Sequence, residues 1–210
     1  VIGYDEIPTT MLSAPVPHHK SDTGRQIREL LRDTLVSAGM REVVSYSLTD
    51  RQTLSSVQAQ ADGPEPMGVA NPLSSEAQYL KTSLRGGVLG TLASNRRISH
   101  DEGLRLFEVG RVYLPKPDAR ERDLPDEKEM LVGVLSGPRS EATWLGPQGD
   151  MDFFDAKGTL ESLFGALGID VEYERSQDAV MHPGKTARLT AGGQTIGTVG
   201  EVRQGLLQQF

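Results

Sequence analysis

The stretch LRLFEVGRVYL, residues 104–114, decides the fold of this chain. Its apolar side chains fall on both faces, with Leu106 and Val112 on one and Phe107 on the other, as in a central strand covered from two sides. The segment MLVGVLS at 130–136 has the same two-sided character and follows a charged loop that contains several prolines. We therefore expect the two segments to pair antiparallel and to form the spine of a sheet.

Three further segments have apolar side chains at three- and four-residue spacings, which predicts helices. They are residues 22–38, capped by Ser21 or Asp22 and ended by Gly39, a stretch capped by Ser83, and a stretch capped by Asp155 and ended by Gly168. Gly86 and Gly87 weaken the second helix, so we expect another element to pack closely against it.

The first of these helices is long enough, at about 25 Å, to cross a whole domain face. Its apolar stripe contains Ile27, Leu31 and Leu35. A stripe of that length exceeds what a small sheet needs as cover, and an apolar face left over is a contact surface for another protein. We therefore predict that Ile27, Leu31 and Leu35 contact a partner subunit.

Two more segments predict strands. REVVSYSL at 41–48 alternates between two faces, which predicts one continuous strand. Residues 186–202 predict a hairpin in which a Gly-Gly turn sets Leu189 opposite Ile196. Strands joined by hairpins, with helices inserted between them, indicate an α+β fold with an antiparallel sheet flanked by helices.

The chain divides into two parts. Residues 1–21 hold three prolines and few periodic apolar positions, which predicts an extended lead-in arm from a preceding domain. Residues 22–210 are expected to form one domain. Because the chain begins at Val1 and stops at Phe210 within an apolar stretch, we expect a piece of a longer protein, truncated at its C-terminus.

Composition limits the possible functions. With 22 Lys+Arg against 29 Asp+Glu, the net charge of -7 disfavours direct contact with a phosphate backbone. The absence of cysteine excludes disulfides, thiolate nucleophiles and cysteine-based metal sites within this sequence. No run of about 18 apolar residues and no signal-like N-terminus is present, so we expect a cytoplasmic location without membrane contact.

Seven short motifs follow one another along nearly the whole chain. They are IGYDEIP at 2–8, the first helix with EVVSYSL at 42–48, NPLSSEAQYLKTSL at 71–84, LFEVGRVY at 106–113, FFDAKG at 153–158, HPGK at 182–185 and IGTVGE at 196–201. In this order and spacing they resemble the C-terminal, synthetase-like region of phenylalanyl-tRNA synthetase β chains. Lys81 departs from the usual pattern of that family, in which Arg is commoner at this position.

The resemblance implies a class II aminoacyl-tRNA synthetase-like fold, in which a long helix and the following strand form the surface between subunits. It also implies that the α subunit of an (αβ)2 assembly holds ATP, magnesium and phenylalanine, and that the whole complex charges the tRNA. The present domain would be a degenerate copy that supports assembly, with no catalytic, cofactor-binding or metal-binding residue of its own.

Two other functions stay open. An active ATP-using class II ligase domain needs two arginines to clamp phosphates; the central strand could present Glu108 and Arg111, but no Gly-rich motif with Arg follows. An RNA-binding module needs a local basic patch that opposes the net negative charge. The adjacent His18 and His19 point to opposite sides of an extended arm and His182 precedes a proline, which favours surface and turn roles over metal binding.

Overall fold

The architecture of the protein is given by a computed structural model, which describes residues 3–11, 13–15, 22–58, 65–99, 102–116, 123–140, 144, 146 and 149–210. After a short 3-10 turn at Tyr4–Glu6, the elements in chain order are α1 (Thr23–Ser37), β1 (Arg41–Glu42), β2 (Leu48–Thr49), α2 (Arg51–Ser56), β3 (Tyr79–Leu80), α3 (Arg85–Arg96), β4 (Leu104–Leu114), β5 (Asp126–Ser136), α4 (Phe153–Leu167), β6 (Glu172–Arg175), β7 (Met181–Ala191), β8 (Gln194–Val202) and α5 (Gln204–Leu207).

Within the described residues the strands form three small sheets, ordered β1-β4-β5, β2-β3 and β6-β7-β8. The predicted spine is confirmed, since β4 and β5 pair antiparallel over their full length, from Leu104 opposite Ser136 to Leu114 opposite Asp126. The expectation of one antiparallel sheet is wrong, because β1 runs parallel to β4. Parallel neighbours need a crossover connection, and α2 and α3 lie in the chain between these two strands. The α+β class is confirmed.

Helices cover both faces of β4. On one face Leu35 of α1, Phe107 of β4 and Leu163 of α4 form a cluster in which Phe107 is fully buried. On the other face Leu89 and Leu92 of α3 pack in a cluster with residues from the start of β4. Burying Phe107 alone stabilises the fold by roughly 2–3 kcal/mol. The two-sided apolar pattern of the central strand was therefore interpreted correctly.

The predicted ends of α1 and α4 are confirmed with one correction. Asp22 caps α1, since its carboxylate accepts a hydrogen bond from the backbone N–H of Arg25 at 3.0 Å. Gly168 ends α4 with a φ of 66°, in the left-handed region that favours glycine. The cap of α4 is Asp152 rather than Asp155, because Asp155 lies three positions later and completes a capping box with it.

The C-terminal hairpin has a different register from the predicted one. Gly192 and Gly193 form the turn, as expected, with φ angles of 56° and 77°. Leu189 pairs with Gly197 rather than with Ile196, because a register shift follows it in the ladder. Ile196 is consequently 45% exposed instead of covering the buried Leu189.

In the segment predicted to be a lead-in arm, the described residues, 3–11 and 13–15, are exposed. The division of the chain into an arm at 1–21 and a domain at 22–210 stays a prediction. In the described part of the chain, none of the helices combines the length and the apolar character needed to cross a bilayer.

Candidate functional site

The segment between β1 and β2 is extended, yet it is not the continuous strand that the alternation predicted. The N–H of Val43 donates to the carbonyl of Phe107 at 2.8 Å, and the carbonyl of Ser47 accepts from the N–H of Lys81 at 2.9 Å. Between these two bonds, the N–H of Ser45 donates to the side-chain Oε1 of Glu108 at 3.2 Å. The strand is interrupted because a carboxylate takes the place of a backbone carbonyl at Ser45.

Glu108, Lys81 and Ser45 form a sealed polar cluster. Glu108 is 1% exposed and Lys81 is 6% exposed. The Lys81 ammonium lies 2.9 Å from Glu108 Oε1 and 3.0 Å from Ser45 Oγ, which in turn donates to Glu108 Oε2 at 2.8 Å. Since each buried charge has partners, the cluster avoids the desolvation penalty of an unpaired ion. The cluster is closed to any outside ligand.

The glycines at the start of α3 allow the close approach that was expected there. A Cβ atom added to Gly87 would lie 2.4 Å from Ser45 Oγ, and one added to Gly86 would lie 2.7 Å from Thr53 Cγ2. Both distances are far below van der Waals contact, so a side chain at either position would displace its neighbour. The predicted cap at Ser83 is wrong by one residue, because Leu84 is the N-cap of α3 and makes no side-chain cap bond. Ser83 Oγ still accepts from the N–H of Arg85 at 3.2 Å.

On the opposite side of the extended segment, two large side chains face outward. Val44 is 87% exposed and Tyr46 is 92% exposed. Val43 and Ser45, which alternate with them, are partly buried, as the two-residue period of extended backbone predicts, whereas Ser47 is exposed. We call Val44 and Tyr46 the outward pair.

The structure separates the three residues predicted to contact a partner. Ile27 is 46% exposed and remains a candidate for that contact. Leu31 is partly buried and packs against the cluster that contains Leu35, which is only 3% exposed. Leu35 belongs to the core of the chain itself, because the C-terminal half of the apolar stripe of α1 covers β4. Helical periodicity locates a stripe but does not show which part of it the same chain covers.

Sequence reasoning missed a second buried ion pair. The two terminal nitrogens of Arg85 lie 3.1 Å and 2.6 Å from the two carboxylate oxygens of Asp178, and one of them also donates to Thr198 Oγ1 at 3.0 Å. Asp178 further accepts from the N–H of Val180 at 3.0 Å. This bidentate pair fastens α3 to the C-terminal sheet. The partners are 93 residues apart, and no local pattern connects them.

The two nucleotide-binding candidates of the central strand differ in exposure. Glu108 points into the sealed cluster, whereas the Arg111 side chain is 61% exposed and pairs with Glu127 at 2.9 Å. That the chain binds no ATP stays a prediction. Arg96, at the end of α3, donates to Ser136 Oγ at 3.2 Å and to the carbonyl of Glu102 at 2.9 Å.

The remaining polar candidates have structural roles. His182 lies within β7 rather than in a turn, and its Nδ1 accepts from the N–H of Gly184 at 3.1 Å. His18 and His19 lie outside the described residues. Within the described ranges, no three His, Asp or Glu side chains gather closely enough to hold a metal ion. That the chain binds no metal stays a prediction.

One acidic residue of α4 has a shifted pKa. A side-chain hydrogen bond from Arg139, with Nε 2.8 Å from Asp155 Oδ1, lowers the pKa of Asp155 from its ordinary value of 3.8 to about 2. The backbone N–H of Asp152 adds to this effect. On the same helix Lys157 pairs with Glu161, four residues later, at 2.7 Å.

Comparison with known proteins places this geometry in a family. A model of the phenylalanyl tRNA synthetase beta chain CLM domain matches residues 7–210. The chain belongs to this family. The resemblance seen in the seven motifs is confirmed.

Two relatives illustrate the match. A phenylalanine–tRNA ligase beta subunit of Dehalococcoides mccartyi is 39% identical over 210 residues, which cover 100% of this chain and 25% of that protein. One of Halalkalibacterium halodurans is 35% identical over 202 residues, covering 95% of this chain and 25% of that protein. The chain therefore spans about a quarter of the length of the curated relatives that it matches.

A solved structure supports the fold. Desulfitobacterium hafniense PylSc, a pyrrolysyl tRNA synthetase, superposes with a TM-score of 0.62 over 89% of this chain and 61% of that chain. Because the sequence identity is 16%, this likeness shows the fold alone. The expected synthetase-like fold is confirmed.

Proposed function

We propose that the chain is a non-catalytic, synthetase-like domain of a phenylalanine–tRNA ligase β subunit and that it acts by holding the α subunit. The whole (αβ)2 complex would then perform the ATP-dependent charging of tRNA with phenylalanine, in the cytoplasm. ATP and magnesium would be held by the α subunit. The name "beta subunit", carried by the relatives, supports the existence of a partner subunit.

The observation that carries the proposal is the contrast across the segment 43–47. Its inner side covers Glu108 of the central strand. Both carboxylate oxygens of Glu108 already accept hydrogen bonds from Ser45 or Lys81, so neither is free to bind a substrate. Its outer side presents Val44 and Tyr46 almost fully to solvent. Apolar side chains exposed on a fixed backbone mark a surface for another protein, because covering them releases about 25 cal/mol per Å².

The outward pair is adjacent in sequence to the helix that also exposes apolar groups. Ile27 and Leu30 of α1 are 46% and 41% exposed. Together with Val44 and Tyr46 they provide the aromatic and aliphatic anchors that subunit interfaces use. We therefore assign the α-subunit contact to the outward pair with the exposed part of α1, and not to Leu35.

Assembly tests the proposal directly. Val44→Asp and Tyr46→Asp, each made in the full-length β subunit, should weaken binding of the α subunit, measured as the dissociation constant by analytical ultracentrifugation. Ile98→Asp is the matched control, because Ile98 is also an exposed aliphatic residue, at 83%, and lies at the end of α3 away from the segment. Unchanged assembly in both outward-pair variants would reject this surface.

Nucleotide binding tests the non-catalytic part. Isothermal titration of the β subunit alone with ATP and magnesium should give no saturable heat. Saturable, stoichiometric binding would instead favour an active class II ligase domain. A salt-dependent affinity of the β subunit for tRNA that is lost when residues 22–210 are deleted would favour the RNA-binding alternative.

A further inference from the structure

We infer that Glu108 and Gly87 are positioning elements for the subunit contact: between them they hold Ser45, and thereby fix Val44 and Tyr46 in their outward orientation. The inference rests on the proposed function, because it takes the outward pair to be part of the contact surface. It adds to that surface two residues that do not themselves touch the partner.

The first part of the argument is the bonding of the segment. Every second residue is hydrogen-bonded to a neighbouring element: Val43 to the backbone of β4, Ser45 to the Glu108 carboxylate, and Ser47 to the backbone of Lys81. The bonds at Val43 and Ser47 use main-chain partners. The bonds at Ser45 use side chains, because its N–H donates to Glu108 and its carbonyl lies 3.4 Å from Lys81 Nζ, so the presentation of Val44 and Tyr46 depends on Glu108 and its partner Lys81.

The second part is the strength of the middle bond. Ser45 makes contact through both its N–H, at 3.2 Å, and its hydroxyl, at 2.9 Å and 2.8 Å from the two carboxylate oxygens. Hydrogen bonds to an ionised, buried carboxylate are roughly twice as strong as those between neutral groups. Lys81 supplies the counter-charge at 2.9 Å that allows the carboxylate to remain inside the fold.

The third part is the lack of free space behind Ser45. Gly87 of α3 approaches so closely that an added Cβ would lie 2.5 Å from Ser45 Cβ. Ser45 therefore occupies a slot between a helix and a carboxylate, and it cannot retreat without breaking its bonds. A segment fixed in this way loses little conformational entropy when a partner covers it, which increases affinity.

The experiment separates this positioning from general stability. In the full-length β subunit, Ser45→Ala removes the hydroxyl and Gly87→Ala pushes Ser45 out of its slot. Gly90→Ala is the matched control on the same helix, since an added Cβ there meets no atom within 4 Å. Leu163→Val is the stability control, because Leu163 is buried in a different cluster, with Leu35 and Phe107.

The expected result is a difference in affinity for the α subunit. Ser45→Ala and Gly87→Ala should each raise the dissociation constant by about tenfold, which corresponds to about 1.4 kcal/mol. Gly90→Ala and Leu163→Val should leave it within about twofold. Amide hydrogen exchange at residues 44–46 should become faster in the first two variants only, since these alone disturb the segment.

Two outcomes would overturn the inference, and they are distinguishable from failure of the proposed function. If Val44→Asp weakens assembly but Ser45→Ala and Gly87→Ala do not, the positioning role is wrong and the assembly function stands. If Leu163→Val weakens assembly as much as Ser45→Ala, the effect is one of stability and the positioning role is again wrong. If Val44→Asp and Tyr46→Asp have no effect, the proposed surface and this inference fail together.

Discussion

Two buried ion pairs lie close to the start of α3, and they differ in how completely they are enclosed. In the Lys81–Glu108 pair both side chains are sealed, with 7% and 2% of their surfaces exposed. In the Arg85–Asp178 pair the carboxylate is sealed at 3%, while the guanidinium keeps 20% of its surface exposed. The first pair holds a segment whose other side faces outward, whereas the second fastens α3 to the C-terminal sheet. When both partners of an ion pair are buried, removing either one leaves an unpaired charge inside the fold. When one partner is partly exposed, only the removal of that partner leaves a fully buried, unpaired charge.

The largest expected effect comes from opening the sealed pair. Glu108→Ala leaves the Lys81 ammonium buried without its counter-charge, and Lys81→Ala leaves the carboxylate in the same condition. Each should lower the free energy of unfolding by about 3–5 kcal/mol. Urea denaturation followed by circular dichroism would measure both. Clearly unequal losses would contradict the symmetric enclosure of the two groups.

The second pair should respond unequally. Arg85→Ala removes the bidentate partner of a sealed carboxylate and should lower the free energy of unfolding by about 3 kcal/mol. Asp178→Ala leaves a guanidinium that can turn toward water, and it should cost about 1–2 kcal/mol. The same denaturation experiment provides the comparison. Equal losses, or a larger loss for Asp178→Ala, would show that Arg85 is enclosed as fully as Lys81.

The next test adds a methyl group next to the cluster of Glu108, Lys81 and Ser45. Gly87→Ala forces a Cβ against Ser45 and should lower the free energy of unfolding by about 1–3 kcal/mol. Gly90→Ala, which adds the same methyl group to the same helix in open space, should raise it by about 0.5–1 kcal/mol because alanine favours the helix. The difference in thermal unfolding midpoint between the two variants would measure the close approach. Stabilisation by both would contradict it.

The smallest effect concerns an exposed ion pair and pH. Arg139 lowers the pKa of Asp155 to about 2, so the interaction stabilises the fold fully above the ordinary pKa of 3.8 and is lost as the pH falls toward 2. The unfolding midpoint of Asp155→Asn should lie below that of the wild type at pH 6, and the gap should narrow between pH 4 and pH 2. A gap that stays constant over this range would show that the carboxylate charge contributes nothing.

Much of this fold could be predicted from local pattern. The ends of α1 follow from Asp22 and Gly39, and the antiparallel pairing of β4 with β5 follows from two adjacent, two-sided apolar runs. The pattern at 41–48 correctly separated the inner Val43 and Ser45 from the outer Val44 and Tyr46, but Ser47 is exposed and the segment is not a continuous strand. It could not show that Ser45 bonds to a carboxylate 63 residues away, because that contact depends on where β4 lies.

The sequence by itself determined the long helices, the β4–β5 pair, the family and the alternation that turns Val44 and Tyr46 to one side, because these depend on neighbours along the chain. The tertiary structure alone decided which apolar residues became core and which stayed exposed. Leu35 and Ile27 share one helical stripe, yet only Leu35 reaches the cluster around Phe107. It also decided that Glu108 is sealed by Lys81 and Ser45 rather than open to a substrate. Charge pairing over long sequence separations is set by packing, which no local spacing encodes.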